Sequence, residues 1–247
     1  MLHHILSKCG IYFAKRRYMP RGIEWLWDLQ RLNVGGSAPT VVDVGANEGQ
    51  TTRSILKAFP RATIHAFEPV GKTFNTLQQT FSSLMNVHCN RLAASDSCSS
   101  ANMVVTSSSQ LNYLVPVSAA APVGARVEQV VTTTLDLYCE AKGIRHIDII
   151  KTDTEGHDLQ VLRGAEQTLR RGSVNWVLAE VTFDPLDASH SQFNLIYDLL
   201  SRCGFEVYCF YDHFFIDSGY HMLFCNALFV LKGHSAEANQ SIPRSHD

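Results

Sequence analysis

Four acids close or follow apolar runs in this chain. Asp43 sits in Val41-Val42-Asp43-Val44-Gly45, and Glu68 follows Ile64-His65-Ala66-Phe67. Asp153 follows Ile147-Asp148-Ile149-Ile150-Lys151-Thr152, and Glu180 closes Asn175-Trp176-Val177-Leu178-Ala179. In an open parallel sheet the ligand crevice lies beyond the carboxyl ends of the strands, so acids at four such ends point to one shared site. Carboxylates there can hold ribose hydroxyls, take a proton or ligate a divalent ion. The densest group is Asp153-Thr154-Glu155-Gly156-His157, which adds an imidazole to two acids.

The turn after Asp43 narrows the ligand. Val44-Gly45-Ala46-Asn47-Glu48-Gly49 reads as a strand end, a tight turn and a helix start, with Glu68 about 20 residues on as the ribose acid. A dinucleotide fingerprint is G-x-G-x-x-G, and counted from Gly45 its second and third glycines are Asn47 and Gln50. A side chain at Asn47 crowds a diphosphate but not a phosphate-free ligand, and Asn tolerates left-handed backbone. S-adenosylmethionine (SAM) fits: its adenosine suits Glu68 and its amino-acid tail suits the turn. An ordinary strand-turn-helix without ligand remains the plain alternative.

These residues need a scaffold. Apolar runs suggest strands at 40–45, 62–67, 86–89, 147–152, 174–181, 205–211 and 224–231. Helical spacing suggests helices at 50–58, 71–84, 134–142, 157–170 and 191–203. The alternation implies an α/β fold, a doubly wound, Rossmann-like parallel sheet. The last two strands lack an intervening helix and are expected as an antiparallel pair, giving the seven-stranded class I methyltransferase variant. Residues 95–127, rich in Ser, Ala and Pro, read as a long excursion, with a small hairpin at 103–105 and 127–131 and either a lid or a surface loop. Residues 1–36 read as a separate N-terminal helical extension, with Trp25, Leu26, Leu29 and Leu32 as a packing stripe. The main domain is expected at 37–233, and a polar tail at 234–247.

Composition excludes several classes. The chain has 247 residues, 45% hydrophobic, with a formal charge of -2, and its basic cluster is Lys15-Arg16-Arg17 with Arg21. That charge speaks against a nucleic-acid partner. The seven cysteines, Cys9, Cys89, Cys98, Cys139, Cys203, Cys209 and Cys225, form no C-x-x-C, which suggests reduced thiols in a cytoplasmic protein and no zinc site. No apolar run reaches the length of a membrane span, and no signal peptide is read at the N-terminus.

Together these blocks resemble the FkbM family of SAM-dependent methyltransferases over about residues 40–231. The carriers are Asp43-Val-Gly-Ala-Asn-Glu-Gly49, Ala66-Phe67-Glu68-Pro69, Thr133-Thr134-Leu135-Asp136 and Ile149-Ile-Lys151-Thr-Asp153-Thr-Glu155-Gly156 through Leu162-Arg163-Gly164-Ala165. The family's usual block reads K-I-D-V-E-G-A-E; here Thr154 replaces valine, His157 alanine and Asp158 the second glutamate. The resemblance implies O-methylation of hydroxyls on sugars or on polyketide and peptide natural products.

Methyl transfer to an aliphatic hydroxyl calls for alignment and for a base or a metal that acidifies the hydroxyl. The expected catalytic set is Asp153, Glu155 and His157, although Glu155 also suits a helix cap and His157 a surface position. The expected cofactor set is Asp43, Gly45, Asn47, Gly49, Thr51 (or Thr52), Glu68, Ala93 and Asp96, the last two near the adenine. Asp96 equally suits a solvated turn, and Phe67 and Phe74 suit the core. A magnesium ion on Asp153, Glu155 and Glu180 is an alternative to a protein base. His213 and His221 read as rim residues. The expected partners are a small hydroxylated acceptor and, as a candidate homodimer, a second copy. The competing functions are a nucleic-acid methyltransferase and a SAM-binding module without chemistry. The first lacks the usual Asn/Asp-Pro-Pro-aromatic block, and Asn47 and Gln50 speak against a nicotinamide reductase.

Overall fold

Side chains that alternate between two buried faces build the main sheet. The computed structural model describes residues 20–115, 124–216 and 221–234. The expected helix content of 1–19, the basic cluster at 15–17 and the tail from 235 lie outside the described residues. Eleven strands are described: β1 (Thr40–Val44), β2 (Thr63–Phe67), β3 (Val87–Asn90), β4 (Ala93–Ala94), β5 (Ser100–Val105), β6 (Tyr113–Val115), β7 (Arg126–Thr133), β8 (Ile147–Thr152), β9 (Val174–Thr182), β10 (Phe205–Ile216) and β11 (His221–Leu231). The helices are α1 (Trp25–Arg31), α2 (Gln50–Ala58), α3 (Gly71–Phe81), α4 (Leu135–Lys142), α5 (Asp158–Arg163), α6 (Glu166–Arg170) and α7 (Phe193–Arg202).

Seven strands pair in the order β10-β11-β9-β8-β1-β2-β3. The central pairs are parallel and β11 is antiparallel to both neighbours, so the expected terminal hairpin is present. Val42, Ile150, Val177 and Phe229 face one core with Tyr138, Leu162 and Leu200 of α4, α5 and α7. Val41, Ile149, Trp176 and Leu228 face the other with Leu29, Ile55 and Leu77 of α1, α2 and α3. This period-two alternation is that of strands buried on both faces. Among the described residues no helix is long and apolar enough to cross a membrane.

The structure differs from the sequence expectation in three places. The described part of the N-terminal extension is not separate: Trp25, Leu26 and Leu29 are buried in the second core. Glu24 caps α1 through the amides of Leu26 (2.9 Å) and Trp27 (2.8 Å), and Tyr211 of β10 donates to buried Asp28 at 2.7 Å. The helix expected at 157–170 breaks at Gly164, where a Cβ would lie 1.9 Å from the Ser95 carbonyl oxygen. The 95–127 excursion holds more than a small hairpin. β5 pairs with β7, β6 joins β5, and with β4 they make a second sheet in the order β4-β7-β5-β6. Met103 and Val130 of that sheet pack on Val70 and Ala93, which fixes it above the ends of β2 and β3.

Asp136, from the Thr133–Asp136 block, caps the second half of the broken helix. Its carboxylate accepts from the amides of Gln167 (3.0 Å) and Thr168 (2.8 Å) and from the Thr168 hydroxyl (2.6 Å). Asp136→Ala is expected to cost about 1–2 kcal/mol, the upper range for a lost helix cap. A urea titration checks this, and the midpoint should fall with an unchanged slope.

Candidate active site

The glycine turn is shaped by close approach and by left-handed backbone. Gly45 has φ 77°, and a Cβ there would lie 1.8 Å from the carbonyl oxygen of Asp153. Its amide and that of Ala46 donate to the Phe67 carbonyl at 3.1 and 2.9 Å, so both are committed to β2. Asn47 takes φ 50°, the left-handed conformation its side chain tolerates. Gly49 starts α2 with φ 92°, and a Cβ there would lie 2.3 Å from the Phe81 ring. Gly49 thus lets α3 pack closely, whereas Gly45 and Asn47 line the cavity.

Glu68 leaves β2 and turns into that cavity. Its carboxylate accepts from the Val70 amide at 2.8 Å, and the Asn47 amide also points at it. Burial raises this carboxyl from 4.5 to about 7, against the lowering effect of the two amides. The cavity has a volume of about 390 Å³, within the range of small-ligand sites. Val44, Gly45, Asn47 and Thr51 form its floor, Leu92 and Ala93 one side, and Asp153, Glu155 and Glu180 the far wall. Met103, Ser109, Leu111 and Leu114 from the second sheet and its loop form the roof. The Ser109 hydroxyl donates to Asn47 Oδ1 at 2.9 Å, joining roof to floor.

The far wall is organised by one ammonium. Buried Lys151 lies 3.1 Å from Asp153 and 3.5 Å from Asp43. Burial acts to lower its pKa, but Asp153 and Asp43 outweigh that, and the net shift is upward. Asp43 also accepts from the Thr52 hydroxyl at 2.6 Å. Glu155, half-buried with φ 51°, is raised to about 7 by burial first and then by repulsion from Asp153 and Asp158. Glu180 is raised by burial first and then by Asp153, Asp158 and Glu155, with Lys151 opposing. Asp158, fully buried in α5, is raised from 3.8 to about 6 by burial. The hydroxyls of Thr152 and Thr154 oppose that rise without closing to hydrogen-bond geometry, and both Asp158 oxygens are without a hydrogen-bond partner.

The expected site residues therefore separate. Gly45, Asn47, Thr51, Glu68, Ala93, Asp153, Glu155 and Glu180 line one cavity. Asp43 lies behind it, holding Lys151 and Thr52. Exposed Asp96 and partly buried His157 border an adjoining cleft, which Glu155 also lines. His157 Nε2 lies 2.9 Å from the Ser95 hydroxyl, and burial lowers the imidazole pKa. Asp153 turns to Lys151, so the carboxylate trio expected for magnesium is not the group that comes together. Among the described residues, Glu155, Glu180 and His190 bring one ligand atom each within 4.8 Å of one another.

Sequence reading missed Lys151, the roof residues and His190. Lys151 carried a signal, since a lysine inside an apolar run needs buried counter-charge. The Asp187-x-x-His190 pair lies in an irregular stretch where no periodicity marks it.

Strand order and an acidic crevice at the strand ends define a class I, Rossmann-like methyltransferase. Residues 43–207 match the domain described as "Methyltransferase FkbM domain", and the chain belongs to the FkbM family of SAM-dependent methyltransferases. It is similar to Methyltransferase 1 of Beauveria bassiana (strain ARSEF 2860), 25% identical over 185 residues, which is 68% of this chain and 72% of that protein. Among solved structures it is similar to Aeropyrum pernix fibrillarin in complex with SAM, with 14% identity and a TM-score of 0.43. That match covers 78% of this chain and 66% of the fibrillarin chain. It is also similar to M. capricolum TrmK with S-adenosylhomocysteine, with 8% identity, 85% and 69% coverage and a TM-score of 0.45.

Asp158 generates a pH prediction. Its folded pKa of about 6 lies above the ordinary 3.8, so the folded state holds a proton that the unfolded state releases. Stability is therefore lost as pH rises from about 4 to about 6, on the order of 2–3 kcal/mol for this group. Asp158→Asn should gain on the wild type as pH rises across that window. Urea midpoints of both proteins at pH 4.5 and 7.5 test it, and an unchanged gap between them contradicts the assignment.

Proposed function

We propose that this chain transfers the methyl group of SAM to a hydroxyl of a small molecule, a sugar or a polyketide or peptide product. One observation carries the reading: Glu155, a carboxyl raised to about 7, lines the same cavity as Glu68 and the glycine turn. A base titrating near neutrality suits removal of a hydroxyl proton. In this reading Glu68 takes the ribose hydroxyls, Leu92 and Ala93 flank the adenine, and the SAM carboxylate meets Thr51 at the first turn of α2. The acceptor oxygen gives its proton to Glu155 and bonds the methyl carbon. The carbon–sulfur bond breaks, and its electron pair stays on the sulfur of S-adenosylhomocysteine. Orientation carries much of the rate, since the sulfonium is already a good leaving group.

His157 acts in this scheme as a support, through Ser95, and not as the base.

Three measurements test the proposal. Incubating host metabolite extracts with the enzyme and deuterated SAM should yield labelled methyl ethers by mass spectrometry. Label confined to RNA, or absent despite SAM binding, would overturn it. Glu155→Gln should lower kcat by roughly 10²- to 10⁴-fold while leaving SAM affinity nearly unchanged. Calorimetry should also show SAM binding several-fold weaker at pH 6 than at pH 8, because Glu68 gains a proton near 7. That difference should vanish in Glu68→Gln.

A further inference from the structure

The far wall of the cavity contains a group that the methyl-transfer scheme leaves unused. His190 sits in the connection after β9, stacked on Phe224 with ring centroids 4.2 Å apart. Its Nδ1 lies 2.7 Å from an Asp187 carboxylate oxygen, which leaves Nε2 turned toward Glu180 at 3.7 Å. That distance is too long for a hydrogen bond. Glu180 is nine-tenths buried, and its Oε2 has no hydrogen-bond partner among the described residues. A buried carboxylate oxygen beyond hydrogen-bond reach of the imidazole nitrogen it faces has room for a proton or a cation. Lys151 does not fill that role, being spent on Asp43 and Asp153.

We propose that Glu155, Glu180 and His190 bind one divalent transition-metal ion, with Asp187 as the positioning residue for His190. The three ligand atoms lie within 4.8 Å of one another. Two ligands about 2.1 Å from a tetrahedral ion stand roughly 3.4 Å apart, so small side-chain rotations close the set. A carboxylate on the far ring nitrogen is the usual second partner of a metal-bound histidine. One imidazole with two carboxylates favours manganese, iron or zinc over magnesium, which prefers oxygen ligands alone. Glu155 and Glu180 also line the cavity, so an ion held by them would stand at its wall. The use of the ion rests on the methyl-transfer reading. An ion held there would acidify a coordinated acceptor hydroxyl.

The test needs neither SAM nor acceptor. The full chain is stripped with EDTA, returned to metal-free buffer and titrated with Mn²⁺, followed by electron paramagnetic resonance, and with Zn²⁺, followed by calorimetry. One ion per chain is expected. Glu180→Gln, close to isosteric, and His190→Ala should each weaken binding at least 100-fold, and Asp187→Asn by 10- to 100-fold. Thermal melts confirm that each variant is folded, and Glu180→Gln decides the matter should His190→Ala not fold. Absence of stoichiometric binding in the folded wild type, or binding that survives Glu180→Gln, overturns the site. Metal binding without methyl transfer to any acceptor would overturn the use of the ion and the methyl-transfer reading, leaving the site intact.

Discussion

A single buried ammonium holds the working end of this fold together. Lys151 closes β8 with its charge between Asp43 of β1 and Asp153, so the two central strands share one cation at their carboxyl ends. Three more carboxyls, Glu155, Asp158 and Glu180, feel the same charge. Burial first, and repulsion among these acids next, raise Glu155, Asp158 and Glu180, against the pull of the one ammonium. The upward shifts of Glu155 and Glu180 follow from packing rather than from any one motif. Burying such a network is costly unless its members are paired, which is why its unpaired oxygens mark the places where a proton or a cation belongs.

The fold was largely legible because its signal is the period-two burial of long apolar runs. Val41/Val42 and Ile149/Ile150 point to opposite cores, and that alternation is written residue by residue. The turn was legible for a similar reason, since Gly45 and Asn47 stand where the backbone is left-handed. The helix break at Gly164 was not, because it answers to the Ser95 carbonyl, some seventy positions away in the chain. The second sheet was half legible: Val104 does face Val127, but the short β6 has too few residues to show a period.

The site divides along the same line. Residues at strand ends were found, since strand ends are predictable and a crevice follows from them. His190 and Asp187 were not, because their meeting depends on how the connection after β9 folds back on Phe224. His157 is a mixed case: it shares a cleft with Glu155, as their adjacency in sequence suggested, but the left-handed turn at Glu155 and Gly156 directs its ring to Ser95 and away from Asp153. Three-dimensional neighbourhood at a turn is set by backbone conformation, not by spacing.

The roof over the cavity has a thermodynamic consequence. Its base is a sheet anchored by Glu128, which accepts from the Gly71 amide at 2.7 Å and meets Arg91 at 3.1 Å, and its tip is tied to Asn47 through Ser109. A segment fastened at both ends has few conformations left to surrender. The ordering entropy of the enclosure is thus settled when the chain folds, and a larger share of each contact made to an incoming molecule is free to appear as affinity.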